Sequence, residues 1–142
     1  MDDKICELPD DYKPSENEEF MNDRQREYFR RKLLCWRNDI ERGTEVIMKY
    51  LSEEGKTCTD TADRASTETD LAYELKSKER ARKLISKIDE ALLRIKKGTY
   101  GYCEETGEPI ALGRLEARPV AMLSVKAQER HEKQERIQKD EE

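Results

Sequence analysis

From Phe29 onward, apolar side chains return at alternating steps of four and three: Leu33, Trp36, Ile40, Ile47 and Tyr50 follow, with Gly43 occupying one step. Wound as an α-helix, that spacing gathers them into one stripe, the seam a coiled coil offers to a partner. Ala81, Ile85, Ile88, Leu92 and Ile95 form a second seam of the same period, with Leu71, Leu75 and Leu84 extending or flanking it. Ser15-Glu16-Asn17-Glu18 has capping-box form and predicts the start of the first helix, and Gly55 predicts its end. Lys96 and Lys97 followed by Gly98 predict the exit of the second, with cations at the negative end of the helix dipole. Gly43 is the weak step, costing up to about 1 kcal/mol against alanine.

As helices the two runs, about 38 and 32 residues, would span about 57 and 48 Å. No other segment could cover both stripes along their length, so they are expected to cover each other as an antiparallel hairpin. The alternative is two shorter helices folded into a compact bundle. The hairpin turns through GKTCTDTADRAS, residues 55–66. Beyond Gly98, TYGYCEETGEPIAL reads as a small hairpin turning at Thr106-Gly107. RLEARP follows, and Pro119 stops any helix begun there. Ser124 can cap a last helix whose sequence, QERHEKQERIQKDEE, is polar on every side and reads as solvated or frayed.

The expected fold is mainly α: a long antiparallel coiled-coil hairpin plus a small globular part with a degenerate zinc-ribbon-like hairpin and a C-terminal helix. Residues 1–16 read as a flexible leader. Residues 17–98 are the helical region with its tip at 55–66 and its base in the globular part, and 99–142 are the ribbon region and last helix.

Composition narrows the function. Of 142 residues, 43% are charged and 35% hydrophobic, which suits long solvent-bathed helices better than a large core. With 28 basic and 33 acidic residues the net charge is −5, which works against unaided binding to duplex DNA and makes a protein partner the more natural expectation. The acidic start MDDKICELPDD has no apolar run, so no signal peptide is expected, and no stretch approaches a membrane span. A cytoplasmic protein with reduced thiols is the expectation.

The four cysteines, Cys6, Cys35, Cys58 and Cys103, lie far apart with no C-x2-C pair. Residues 103–127 nevertheless keep the rhythm of a zinc ribbon: two knuckles, C-x2-T and S-x2-A, present Cys103, Thr106, Ser124 and Ala127 where four thiolates would stand. Structural zinc needs four Cys or His ligands in a tetrahedral array, and one thiolate does not close the site. Glu104, Glu105, Glu108 and His131 are near in sequence, but carboxylates substitute poorly for thiolates in a buried site, and His131 is out of register. No zinc and no tightly bound cofactor are expected. Leu112, Leu115, Val120, Met122, Leu123 and Val125 are expected to hold the ribbon by packing, with Cys103 left as a small buried hydrophobe or a lone thiol.

Asp60-x-x-Asp63-Arg64-Ala65 at a hairpin tip, then ELKSKERARKLISKIDEAL, the GYC knuckle and GRLEARP together resemble the DksA/TraR family of bacterial transcription factors, over roughly residues 20–135. The resemblance implies a coiled coil that enters the secondary channel of RNA polymerase and binds no promoter sequence. With the alarmone ppGpp, such factors destabilise open complexes at ribosomal-RNA promoters and assist some amino-acid biosynthesis promoters. The matching tip positions are Asp60, Asp63, Arg64 and Ala65. Those matching the alarmone site are Leu84, Lys87 and Arg118, with Gln128 where the family usually has lysine. Lysine and arginine suit a ligand with two diphosphates, because charge-assisted bonds to phosphate are strong. Gln128 supplies no charge, a loss that Lys126 or Arg130 could offset. In family terms the chain resembles a zinc-independent member, acting as a monomer without a membrane or specific DNA.

Plainer readings stand beside these. Asp63 could be the N-cap of the second helix, Asp60 a solvated carboxylate, and Lys87 an ordinary coiled-coil flank. An enzyme has little support, since there is one histidine and no phosphate loop or nucleophile motif. A Gre-like transcript-cleavage factor shares the hairpin idea but not GYC and RLEARP. A structural coiled-coil adaptor explains the heptads and leaves the tip and RLEARP unexplained.

Overall fold

The computed structural model describes residues 8–54 and 61–141. The side chains of Ile47 and Tyr50, residues 55–60 of the expected turn, and Cys6 and Cys58 lie outside the described residues, while 61–66 of that expected turn are already helical. Among the described residues four helices follow one another: α1 (Asp23–Glu54), α2 (Thr61–Lys97), α3 (Leu112–Ala117) and α4 (Val125–Glu141). Among the described residues the one β feature is an isolated antiparallel bridge between Tyr102 and Pro109. No helix among them is long and apolar enough to cross a membrane. The chain divides into two compact units, Met1–Leu33 with Glu90–Glu142, and Leu34–Asp89.

In the unit Leu34–Asp89 the two long helices run antiparallel. Arg37, near the start of its first helical segment, reaches Asp89 at the end of the second, with Nε donating to Oδ1 at 2.7 Å and Nη2 to Oδ2 at 3.4 Å. The same guanidinium also meets Glu41 one turn on. Ile88 is fully buried, and Trp36, Ile40, Ala81, Leu84 and Ile85 are half-buried, so both stripes turn inward as their period requires. Two details differ from the sequence reading. Gly43 is exposed and Thr44 takes the inward place, its hydroxyl turned back onto the Ile40 carbonyl at 3.0 Å. On α2, Leu71 and Leu75 are 39% and 50% exposed while Glu74 and Ser77 are half-buried. The helical phase is kept toward the tip by polar residues, so hydrophobicity alone misplaces the seam there.

The other unit starts later as a helix than the capping box suggests. Ser15 makes only a turn, its Oγ accepting the Asn17 N–H at 3.2 Å and its carbonyl the Glu18 N–H at 3.3 Å. The cap is Asn22, whose Oδ1 accepts the Gln25 N–H at 2.8 Å. The reason is long-range. Gln25, fully buried, takes the Met21 N–H at 2.8 Å and donates to the Ser15 carbonyl at 3.2 Å, folding the preceding segment back on the helix. The Glu18 carboxylate accepts the Tyr12 hydroxyl at 2.6 Å instead of closing a box. Met21 sits at φ +53°, outside any helical path.

α2 ends as expected. Gly98 adopts φ +80°, and the Gly98 and Thr99 N–H groups bond back to Ile95 and Arg94 carbonyls at 3.2 and 3.0 Å. Thus α1 has 32 residues and α2 37, the reverse of the expected ranking in length. The core of this unit is aromatic: Phe29 packs between Tyr28 and Tyr100, with ring centroids 5.2 and 5.6 Å away. Tyr100, Ile110, Leu115 and Ala127 are buried around it. Of the hydrophobics expected to hold the ribbon, Leu115 and Val120 are buried, and Leu112, Met122 and Leu123 half-buried. Val125 is 51% exposed, because it opens α4 beside the Ser124 cap.

Candidate functional site

At the tip, Asp60 lies outside the described residues. Asp63, Arg64 and Ala65 occupy the first turns of α2, which begins at Thr61. Asp63 is therefore already helical and is not the flanking N-cap.

The alarmone positions are divided between the units: Leu84 and Lys87 in Leu34–Asp89, Arg118 and Gln128 in the other. Lys87 is exposed and Leu84 half-buried. Gln128 lies in the first turns of α4, its N–H on the Ser124 carbonyl at 2.9 Å and its side-chain amide donating to Glu132 at 3.3 Å. Lys126 and Arg130 flank it, both exposed.

RLEARP is held almost atom by atom. Arg114 Nε donates to the Leu123 carbonyl at 3.1 Å, and Leu115 is fully buried. Glu116 accepts the Tyr28 hydroxyl and Lys32 Nζ, the latter at 3.1 Å, and Lys32 also bonds the Glu116 carbonyl at 2.8 Å. The buried Tyr100 hydroxyl donates to the Pro119 carbonyl at 2.7 Å. Burial, and then the neighbouring Glu116 carboxylate, push the Tyr28 phenol up to about 12, and burial pushes Tyr100 higher as well. Both hydroxyls therefore stay protonated donors at any physiological pH. Arg118 closes α3 as its C-cap, exposed to solvent. The sequence carries no local sign of the pairings made by Tyr28, Tyr100 and Glu116, which join segments 88 and 19 residues apart. The one visible signal, of the residues and not of their pairings, was two tyrosines in TYGYC, too many for a small polar hairpin.

The knuckle is held by backbone hydrogen bonds and packing. Cys103 and Glu108 close a tight turn, with the Cys103 N–H on the Glu108 carbonyl at 2.7 Å and the Gly107 N–H on the Cys103 carbonyl at 2.9 Å. Gly107 has φ +73°, the conformation this turn requires. Burial disfavours the Cys103 thiolate, but hydrogen bonds from the Thr106 hydroxyl and from the backbone N–H groups of Ser124, Thr106 and Glu105 outweigh it and bring the thiol down to about 6. Ser124 Oγ accepts the Ala127 N–H at 3.3 Å and caps α4. Ala127 is a fully buried methyl, and His131, one turn further along α4, meets the Glu105 carboxylate.

These residues do not fit zinc. One sulfur, two hydroxyls already engaged and a methyl cannot supply a tetrahedral thiolate or imidazole set. Among the described residues no group of three or more His, Cys, Asp or Glu could hold a metal ion.

Family models place this architecture. Residues 25–95 match "DnaK suppressor protein DksA, N-terminal domain", and residues 98–133 match "Prokaryotic dksA/traR C4-type zinc finger". The chain is 60% identical over 130 residues to the RNA polymerase-binding transcription factor DksA of Caulobacter vibrioides, covering 92% of each chain. The chain belongs to the DksA/TraR family. It is 38% identical over 114 residues to the Escherichia coli K12 factor of the same description, covering 80% of this chain and 76% of that one. Transcription factor DksA2 from Pseudomonas aeruginosa superimposes with a TM-score of 0.77 at 44% identity, over 82% of this chain and 90% of that one. The family is one of transcription factors. Within the zinc-finger match this DksA/TraR member carries Cys103 as its sole cysteine, so the four-cysteine site in the family model's name is not reproduced here.

Proposed function

We propose that the chain is a cytoplasmic, monomeric transcription regulator that binds bacterial RNA polymerase in its secondary channel. The observation that carries this reading is the 60% identity, across 92% of both chains, with a protein described as an RNA polymerase-binding transcription factor. The antiparallel helices of Leu34–Asp89 would carry residues 55–66 into the channel. There the Asp60 and Asp63 carboxylates, with Arg64 and Ala65, act beside the active centre on basic groups or hard divalent cations. With ppGpp held at the polymerase surface by Leu84, Lys87, Arg118 and Gln128, the factor represses ribosomal-RNA promoters and activates some amino-acid biosynthesis promoters. A net charge of −5 supports action through the enzyme and not through promoter DNA.

The test is transcription from a ribosomal-RNA promoter with purified polymerase, with and without ppGpp. Repression that deepens with ppGpp and is lost in Asp60→Asn, while that variant still binds polymerase, is the expected outcome. No repression at saturating factor, or shortening of a stalled transcript from its 3′ end, would overturn the reading.

A further inference from the structure

Arg118 sits in a segment whose neighbours are all fastened. On its N-terminal side α3 has six residues, too short to hold its own shape in water. Glu116, two residues before Arg118, is bound through its carboxylate by Tyr28 and Lys32 and through its carbonyl by Lys32. On the other side Pro119 is buried, and its carbonyl accepts the Tyr100 hydroxyl at 2.7 Å. A buried carbonyl needs a donor, and this one comes from a side chain 19 residues earlier in sequence. The Ala121 N–H closes onto the Arg118 carbonyl at 3.0 Å, and Val120 and Ala121 are buried. Phe29 packs between the two tyrosine rings, so both hydroxyls are aimed from one aromatic cluster. The Arg118 side chain stands exposed and makes no hydrogen bond or ion pair among the described residues.

We propose that Tyr100 and Tyr28, the latter through Glu116, are positioning residues that fix both ends of the Glu116–Pro119 segment and so hold the backbone from which Arg118 reaches the phosphates of the diphosphate-bearing nucleotide. This rests on the reading that ppGpp binds at Arg118. A guanidinium binds phosphate bidentately only in a restricted geometry, so a backbone base that wanders loses affinity although the charge is unchanged. Removing a hydroxyl should therefore weaken the nucleotide response without touching the contacts that hold polymerase.

The experiment titrates ppGpp, and separately the factor without ppGpp, in ribosomal-promoter transcription with purified polymerase. It compares full-length wild type with Tyr100→Phe, Tyr28→Phe, Glu116→Gln, Glu116→Ala and Arg118→Ala. Losing one hydrogen bond to the segment predicts that Tyr100→Phe and Tyr28→Phe raise the ppGpp concentration for half effect about five-fold. The factor concentration for half repression without ppGpp stays within about two-fold, the size of a change with no specific cause. Glu116→Gln keeps an acceptor for Tyr28 and stays near wild type, whereas Glu116→Ala follows Tyr28→Phe. Should Tyr100→Phe lose folded protein by circular dichroism, Tyr28→Phe and the Glu116 pair decide the matter from the other end. An unchanged ppGpp titration in the tyrosine variants, with the response abolished in Arg118→Ala, overturns the positioning role alone. Equal weakening of both titrations overturns it too, marking general loss of structure. A response that survives Arg118→Ala overturns the ppGpp reading beneath it.

Discussion

Gly101→Ala should be the most informative small change in the ribbon. Gly101 adopts φ +89°, and a Cβ there would lie 2.9 Å from Met21 Cγ and 3.1 Å from its Sδ and Cε. Two penalties add. A side chain at positive φ costs about 1–2 kcal/mol, and forcing a methyl into an occupied site costs about 1–3 kcal/mol, toward the low end because methionine is flexible. The sum is about 2–4 kcal/mol. The two parts separate genetically, since Met21→Ala empties the space the new methyl needs. In that background Gly101→Ala should cost only the backbone part, about 1–2 kcal/mol, so the pair is less than additive by about 1–2 kcal/mol. Urea denaturation with an unchanged slope measures each variant. The full penalty persisting after Met21→Ala would mean that Met21 does not sit against the hairpin. A penalty below about 0.5 kcal/mol would refute the left-handed turn at Gly101.

Further outcomes follow from the knuckle. Cys103 has its thiol lowered from 9.0 to about 6 in the folded protein. Its contribution to stability is therefore complete above the unfolded value and lost as pH falls through about 6. The urea midpoint of wild type relative to Cys103→Ala should widen steadily between pH 6 and pH 9; a constant gap would show a neutral thiol held by packing alone. Replacing Thr106→Cys, Ser124→Cys and Ala127→Cys together should restore a thiolate set and yield one zinc per chain by metal analysis, with melting raised and made chelator-sensitive. Failure of that triple variant to take up zinc would mean the two knuckles do not face each other.

Much of the fold could be read from period alone. Phe29, Leu33, Ile88 and Ile95 are buried where the stripes put them, and Gly98 and Ser124 punctuate helices as their chemistry dictates. The departures arise where local pattern is overridden, by tertiary partners in some places and by helical phase in another. Ser15 lost its helix because Gln25 and Glu18 are drawn into a folded-back segment, something no local motif encodes. Leu71 and Leu75, expected to extend or flank the seam, are exposed and so flank it, because helical phase decides which residues face inward there. At the knuckle, the four ribbon positions were legible from spacing. The tyrosine hydroxyls that secure RLEARP were not, since a buried tyrosine's acceptor is a tertiary fact. Cys103 read as a small buried hydrophobe or a lone thiol, and its lowered thiol depends on groups of both knuckles that only the fold brings near it.

The central claim is that residues 55–66 act inside RNA polymerase. A photo-activated cross-linker placed at position 60 or 63, in the full-length protein bound to purified polymerase, tests it most directly. The account predicts adducts on polymerase residues lining the secondary channel, near the active centre, that disappear when a Gre-type factor competes for the channel. Adducts confined to the outer surface of the enzyme, or to promoter DNA, would contradict it.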